Sequence, residues 1–183
     1  MEIRLSNGRY EEIKRRITNL FVQYGISCVP ISGFEIAKKL GVPAIPYSAF
    51  PRGKRELLLI SSEDGLSIKK DSGQWLIYYN DEKDYGRVNN TIMHEIGHIV
   101  LDHSESSELA EKEVKFFAKY ALVPPVLVHK LGITEPQRIA DVFGVSCEAA
   151  CYALNYYRKW LRYGDDEYTD YELQLLRQFG EAA

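Results

Sequence analysis

The run His94-Glu95-Ile96-Gly97-His98 sets two imidazoles four residues apart, with a carboxylate beside the first. On a helix of ~3.6 residues per turn, positions i and i+4 share a face about 40° and ~6 Å apart, so His94 and His98 can grip one ion. Glu95 projects to the side of the pair, where it can take a proton from an attacking water. These residue types at this spacing fit metal-assisted hydrolysis, with Zn2+ as the expected ion. Gly97 adds to the pattern. A glycine inside a helix costs about 1 kcal/mol relative to alanine, which points to something packing or binding close by.

A catalytic zinc site takes three protein ligands and leaves a position open for water. Glu105, Glu108, Glu111 and Glu113 all follow within reach of the pair. Helical neighbours separate them. Glu113 has Leu109 and Ala110 one turn before it and Phe116 and Phe117 one turn after, which places its carboxylate in an apolar stripe. Glu111 has Ser107, Glu108, Val114 and Lys115 around it, a mostly polar set. A carboxylate buried without a partner is costly, and an ion held by His94 and His98 would supply the missing charge, so Glu113 is the expected third ligand. The rival frame HExxHxxGxxH needs glycine at Leu101 and histidine at Ser104, which this chain lacks. His103 is one residue out of that frame and leaves two readings: a hydrogen-bond partner behind a metal ligand or, as the expected one, an exposed histidine at a helix C-terminus, where its charge suits the helix dipole. Tyr120, Tyr152 and Tyr156 are candidates for stabilising a tetrahedral oxyanion.

Several elements must position these residues. Tyr10, Ile13, Ile17, Leu20, Phe21 and Tyr24 recur at helical spacing, with Gly25 as the stop. Ser32-Gly33-Phe34-Glu35 has capping-box spacing and opens a short helix to Leu40, after which Pro43 and Pro46 impose an extended stretch. Leu57–Ser62, Leu66–Lys70 and Gln74–Asn80, separated by Glu63-Asp64-Gly65 and Asp71-Ser72-Gly73, predict a three-stranded antiparallel meander. The segment Val88–Leu101 carries Ile92, Ile96, Ile99 and Val100 at helical intervals and holds the histidines. After the polar run Asp102–Ser107 comes a helix of about 15 residues that Pro124-Pro125 must end. Further helices are predicted over Pro136–Phe143, Ser146–Arg162 and from the capping box Thr169-Asp170-Tyr171-Glu172. The pattern is that of an α+β fold.

HEIGHIVLDH followed by EKEVKFFAKYALVPP resembles the ImmA/IrrE family of metallopeptidases. Their pattern is HExxH, a variable linker, and a helix similar to EAxxFAxxLLxP; Glu113-Val114-Lys115-Phe116-Phe117-Ala118 takes that helix position, with valine in place of the usual alanine. The resemblance implies a zincin-like core, in which a small antiparallel sheet, the HExxH helix and a glutamate-bearing helix surround the metal. It also implies a cytoplasmic zinc peptidase of phages, mobile elements or stress responses that cleaves a helix-turn-helix repressor to relieve repression.

Composition narrows the alternatives. The 183 residues are 45% hydrophobic with no compositional break, so one domain over 1–183 is expected. A net charge of -3 argues against a phosphate-backbone binder. The stretch 135–162 alternates like a helix-turn-helix hairpin, but Cys147, Glu148, Ala149 and Tyr152 at its second helix offer no arginine or asparagine to read a base edge. Nucleic acid is therefore not an expected partner. Cys28, Cys147 and Cys151 suit a reducing compartment better than a disulfide framework, with Cys147 and Cys151 as small core residues. The N-terminal residues lack a signal-peptide core, and no run has the length of a membrane span. The competing function is a non-catalytic regulator that binds a repressor or DNA on the same scaffold, though an intact Glu95 has no use there.

Overall fold

The N-terminal helix α1 (Asn7–Tyr24) begins where the Ser6 side chain accepts from the Arg9 amide and ends where Gly25 takes a left-handed φ of 63°. Ser32 caps α2 (Gly33–Lys39) by accepting from the Glu35 amide. The chain is known here from a computed structural model that describes residues 4–103, 105, 107–164 and 167–180. Met1-Glu2-Ile3, part of the N-terminus read above, and Ser104 and Ser106 of the polar run lie outside these.

The sheet differs from the expected meander. It has three strands in the order β1-β3-β2, with β1 (Ala44–Pro46) parallel to β3 (Trp75–Tyr79) and β2 (Gly65–Lys69) antiparallel to it. The expected strand Leu57–Ser62 is instead the end of helix α3 (Arg52–Ser61), with Ser62 as its C-cap. The short apolar run Leu57 to Ile60 suits strand or helix equally, and leucine together with the i,i+4 ion pair Arg52–Glu56 favours the helix. Nothing in α3 is buried, and Leu57 and Ile60 face solvent. The place of the third strand is taken by the extended Pro43–Pro46 stretch. Its prolines are tolerated because β1 is an edge strand, and the Pro43 carbonyl accepts from the Ile77 amide at 2.9 Å. The last strand of the expected meander, Gln74–Asn80, corresponds to β3 and is the central one.

Asp84 caps α4 (Tyr85–Val100), which lies on β2 and β3 and carries the histidines. Ser107 caps α5 (Glu108–Leu122), which packs along α4. α6 (Pro125–Lys130) was not expected, because Pro124-Pro125 reads as a stop; Pro125 is the first residue of a new helix, where a missing amide proton costs nothing. α7 (Pro136–Phe143) and α8 (Cys147–Tyr163) form a hairpin across Gly144 at φ 63°, and α9 (Asp170–Gln178) starts with the complete Thr169/Glu172 capping box.

One hydrophobic cluster runs from Leu5 to Phe179 and includes Ile13, Ile17 and Phe21 of α1, Ile92 and Ile96 of α4, and Val114 and Phe117 of α5. Asn89 ties α4 to the start of α2: its buried side chain accepts from the Gly33 amide at 2.6 Å and donates to the Ile31 carbonyl at 3.0 Å. Cys28, Cys147 and Cys151 are all free and exposed, so the last two are not core residues. No helix among the described residues is long and apolar enough to cross a membrane.

Candidate metal centre

His94, Glu95 and His98 sit on the last turns of α4, facing a cleft of about 570 Å3 bordered by β2 and the start of α5. The two imidazoles turn their Nε2 atoms toward one carboxylate. Glu111 Oε2 is 3.4 Å from His94 Nε2, and Glu111 Oε1 is 3.3 Å from His98 Nε2. One donor atom from each of the three residues falls within 4.8 Å of the others. For ligands about 2.1 Å from a tetrahedral zinc ion, neighbouring donor atoms stand about 3.4 Å apart. The donor set and its spacing therefore fit such an ion. Burial lowers the pKa of both histidines, which favours the neutral imidazoles that ligation needs.

Glu95 is 7% exposed and accepts from the Ser67 hydroxyl of β2 at 2.7 Å. Burial raises its pKa above the usual carboxylate range, against the opposing pull of Ser67. Gly97 lies at the closest approach of the two helices: a Cβ there would come within 3.1 Å of the Phe117 ring and 3.2 Å of Val114. The glycine thus lets α5 approach until Glu111 meets the histidines. A second cavity, about 510 Å3 in volume and lined in part by Trp160 and Tyr168, borders none of these residues.

A model of the peptidase M78 family, described as the IrrE N-terminal-like domain, matches residues 53–155, more than half of the 183. The chain belongs to the peptidase M78 family. A search of the curated proteins gives no match. The M78 span holds β2, β3, α4 and α5, and with them every residue of the cleft. Helix α1 lies outside it.

The third member of the cluster is not the glutamate expected. Glu113 is buried, as its place in the apolar stripe required, but its carboxylate is taken by other partners. Arg9 of α1 donates to it from two nitrogens, at 2.7 and 2.6 Å, and His103 Nε2 lies 2.9 Å from Glu113 Oε2. Arg9 holds the Glu113 carboxyl below its ordinary range. The buried charge did need a cation, and a guanidinium from the first helix supplies it. Glu111, with its mostly polar helical neighbours, is the residue that meets both histidines.

His103 also departs from expectation, being mostly buried rather than exposed. Asp102, at φ 56°, turns the chain back after α4, and the amides of Asp102 and His103 donate to the carbonyls of Ile99 and His98. That turn lays the His103 ring edge-on to His98, with their Nδ1 atoms 3.1 Å apart. None of Tyr120, Tyr152 and Tyr156 lines the cleft; they form an aromatic cluster with Phe116 and Lys119 on the far side of α5.

Proposed function

We propose that this M78 member is a zinc-dependent peptidase whose metal ligands are His94, His98 and Glu111 and whose general base is Glu95. The observation that carries the reading is the convergence of two histidine Nε2 atoms on one carboxylate at 3.3–3.4 Å, in a cleft that Glu95 shares. Zinc bound there supplies Lewis acidity, polarising a carbonyl and bringing the pKa of a water down to about 7. Glu95 takes the proton of the attacking water and passes it to the leaving nitrogen. Its raised pKa suits both halves of that task, since a base closer to the working pH is also a better acid afterwards. The Ser67 hydroxyl, donating to one carboxylate oxygen, holds Glu95 in the cleft.

β2 borders the cleft through Gly65, Leu66, Ser67 and Lys69, and among the described residues its outer edge pairs with no strand. An extended substrate segment adding to that edge would run past the histidines with its backbone hydrogen-bonded. The protein substrate we infer, on family resemblance, is a helix-turn-helix repressor; the α7–α8 hairpin is taken as part of the same domain.

The test is to incubate the zinc-loaded protein with the repressor encoded beside its gene and follow cleavage. A single cut is expected, absent in Glu95→Gln at unchanged zinc content. If Glu95→Gln with its metal relieves repression as well as the wild type, the chain acts by binding and the peptidase reading fails. Glu111→Ala should lose zinc; full retention would remove Glu111 from the site.

A further inference from the structure

We propose that His103, Glu113 and Arg9 form a hydrogen-bonded relay that fixes the orientation and tautomer of His98, making the N-terminal helix a working part of the metal centre. The proposal rests on the metal reading above and adds three positioning residues to it, none of them a ligand.

The relay follows from which atoms can donate. Arg9 offers only N–H groups, and it holds both oxygens of Glu113 through Nε and Nη2. Glu113 so held is an acceptor, and the 2.9 Å contact with His103 Nε2 requires that nitrogen to carry a proton. In a neutral His103 ring that leaves Nδ1 as a lone pair. The 3.1 Å contact between the two Nδ1 atoms makes His98 Nδ1 the donor. That leaves an unprotonated Nε2 on His98, the atom facing Glu111 at 3.3 Å. The direction of every proton in the chain therefore presents a lone pair where an ion would sit.

A histidine ligand whose far nitrogen donates to a fixed acceptor is held in one tautomer and one ring orientation. Here the acceptor is another imidazole, itself anchored to a buried carboxylate and a two-pronged guanidinium. A purely structural Arg9–Glu113 pair would need no third partner. The left-handed turn at Asp102, which ends α4 by satisfying the His98 and Ile99 carbonyls, also folds His103 back over the last turn of α4 and sets its ring behind His98. Helix α1 is also clamped to the same end of α4, since Arg16 donates to the Val100 carbonyl at 3.0 Å. Arg9 lies outside the matched residues 53–155, so the relay joins the M78 core to a segment beyond it.

Zinc affinity, measured by competition with a chromophoric chelator, and the visible spectrum of the Co2+-loaded protein test the relay without any substrate. His103→Phe and Arg9→Met should each weaken zinc binding about 10–100-fold and alter the Co2+ spectrum. Arg9→Lys, which keeps the charge but loses the fork, should recover only part of the loss. Where a variant unfolds, the wild type still decides: long-range 15N–1H correlation of the zinc-loaded protein should find the ring proton of His98 on Nδ1 and that of His103 on Nε2. A proton on His103 Nδ1, or affinities of folded His103→Phe and Arg9→Met within about twofold of wild type, overturns the relay. If those results come with zinc bound by the wild type and lost in Glu111→Ala, only the relay fails; if the wild type binds no zinc, the metal reading fails with it.

Discussion

Gly97→Ala offers a direct measure of how the helix pair builds the site. In isolation the change favours the folded state, because alanine is the better helix former by about 1 kcal/mol. In this structure the new methyl would lie 3.1 Å from Phe117 Cδ1 and 3.2 Å from both Cβ and Cγ1 of Val114. Both neighbours are fully buried on α5, and Val114 Cβ moves only with its backbone. Relief therefore requires α5 to shift outward by a few tenths of an ångström, and overpacking of this kind costs about 1–3 kcal/mol. The net expectation is a loss of roughly 1 kcal/mol, or a fall in Tm of about 2–4 °C for a chain of this size. The same shift draws Glu111, one turn before Val114, away from His94 and His98, so zinc affinity should fall severalfold more than stability alone would suggest. Urea unfolding of the metal-free protein and a zinc competition titration measure the two effects separately. A metal-free variant more stable by about 1 kcal/mol, with wild-type zinc affinity, would refute the view that Gly97 sets the helix spacing.

Two further substitutions probe the supports around the site. Asn89→Ala removes the partner of two buried backbone groups, the Gly33 amide and the Ile31 carbonyl, and should cost about 2–4 kcal/mol in chemical unfolding; a loss below about 1 kcal/mol would mean that the α2–α4 joint does not depend on it. Asp102→Gly relieves a left-handed residue and removes a negative charge from the C-terminal end of α4, so the variant should be more stable by about 1 kcal/mol with the His103 contacts kept; a destabilised protein would show that the aspartate side chain has a structural role of its own.

How much of this was legible in the chain depends on how far apart the deciding residues lie. Helix α1, its Gly25 stop, the Ser32 cap, the Thr169 capping box and the i,i+4 histidines rest on neighbours within one or two turns, and each is readable from spacing alone. The sheet was not. Whether Leu57–Ser62 forms a strand depends on whether β3 has a better partner, and that partner is the extended stretch Ala44–Pro46, which pairs with Ile77, Tyr78 and Tyr79 far along the chain.

The choice between Glu111 and Glu113 turned on a longer range still. A buried carboxylate does need a cation, and for Glu113 that cation is Arg9, 104 residues away. A hydrolytic metal must keep a position open to water and substrate, so its ligands belong at the wall of a cleft rather than inside the core. The Glu111 side chain is 36% exposed against 6% for Glu113. On α5 the less buried glutamate faces the cleft beside the two histidines, and the more buried one is paired with Arg9 and His103.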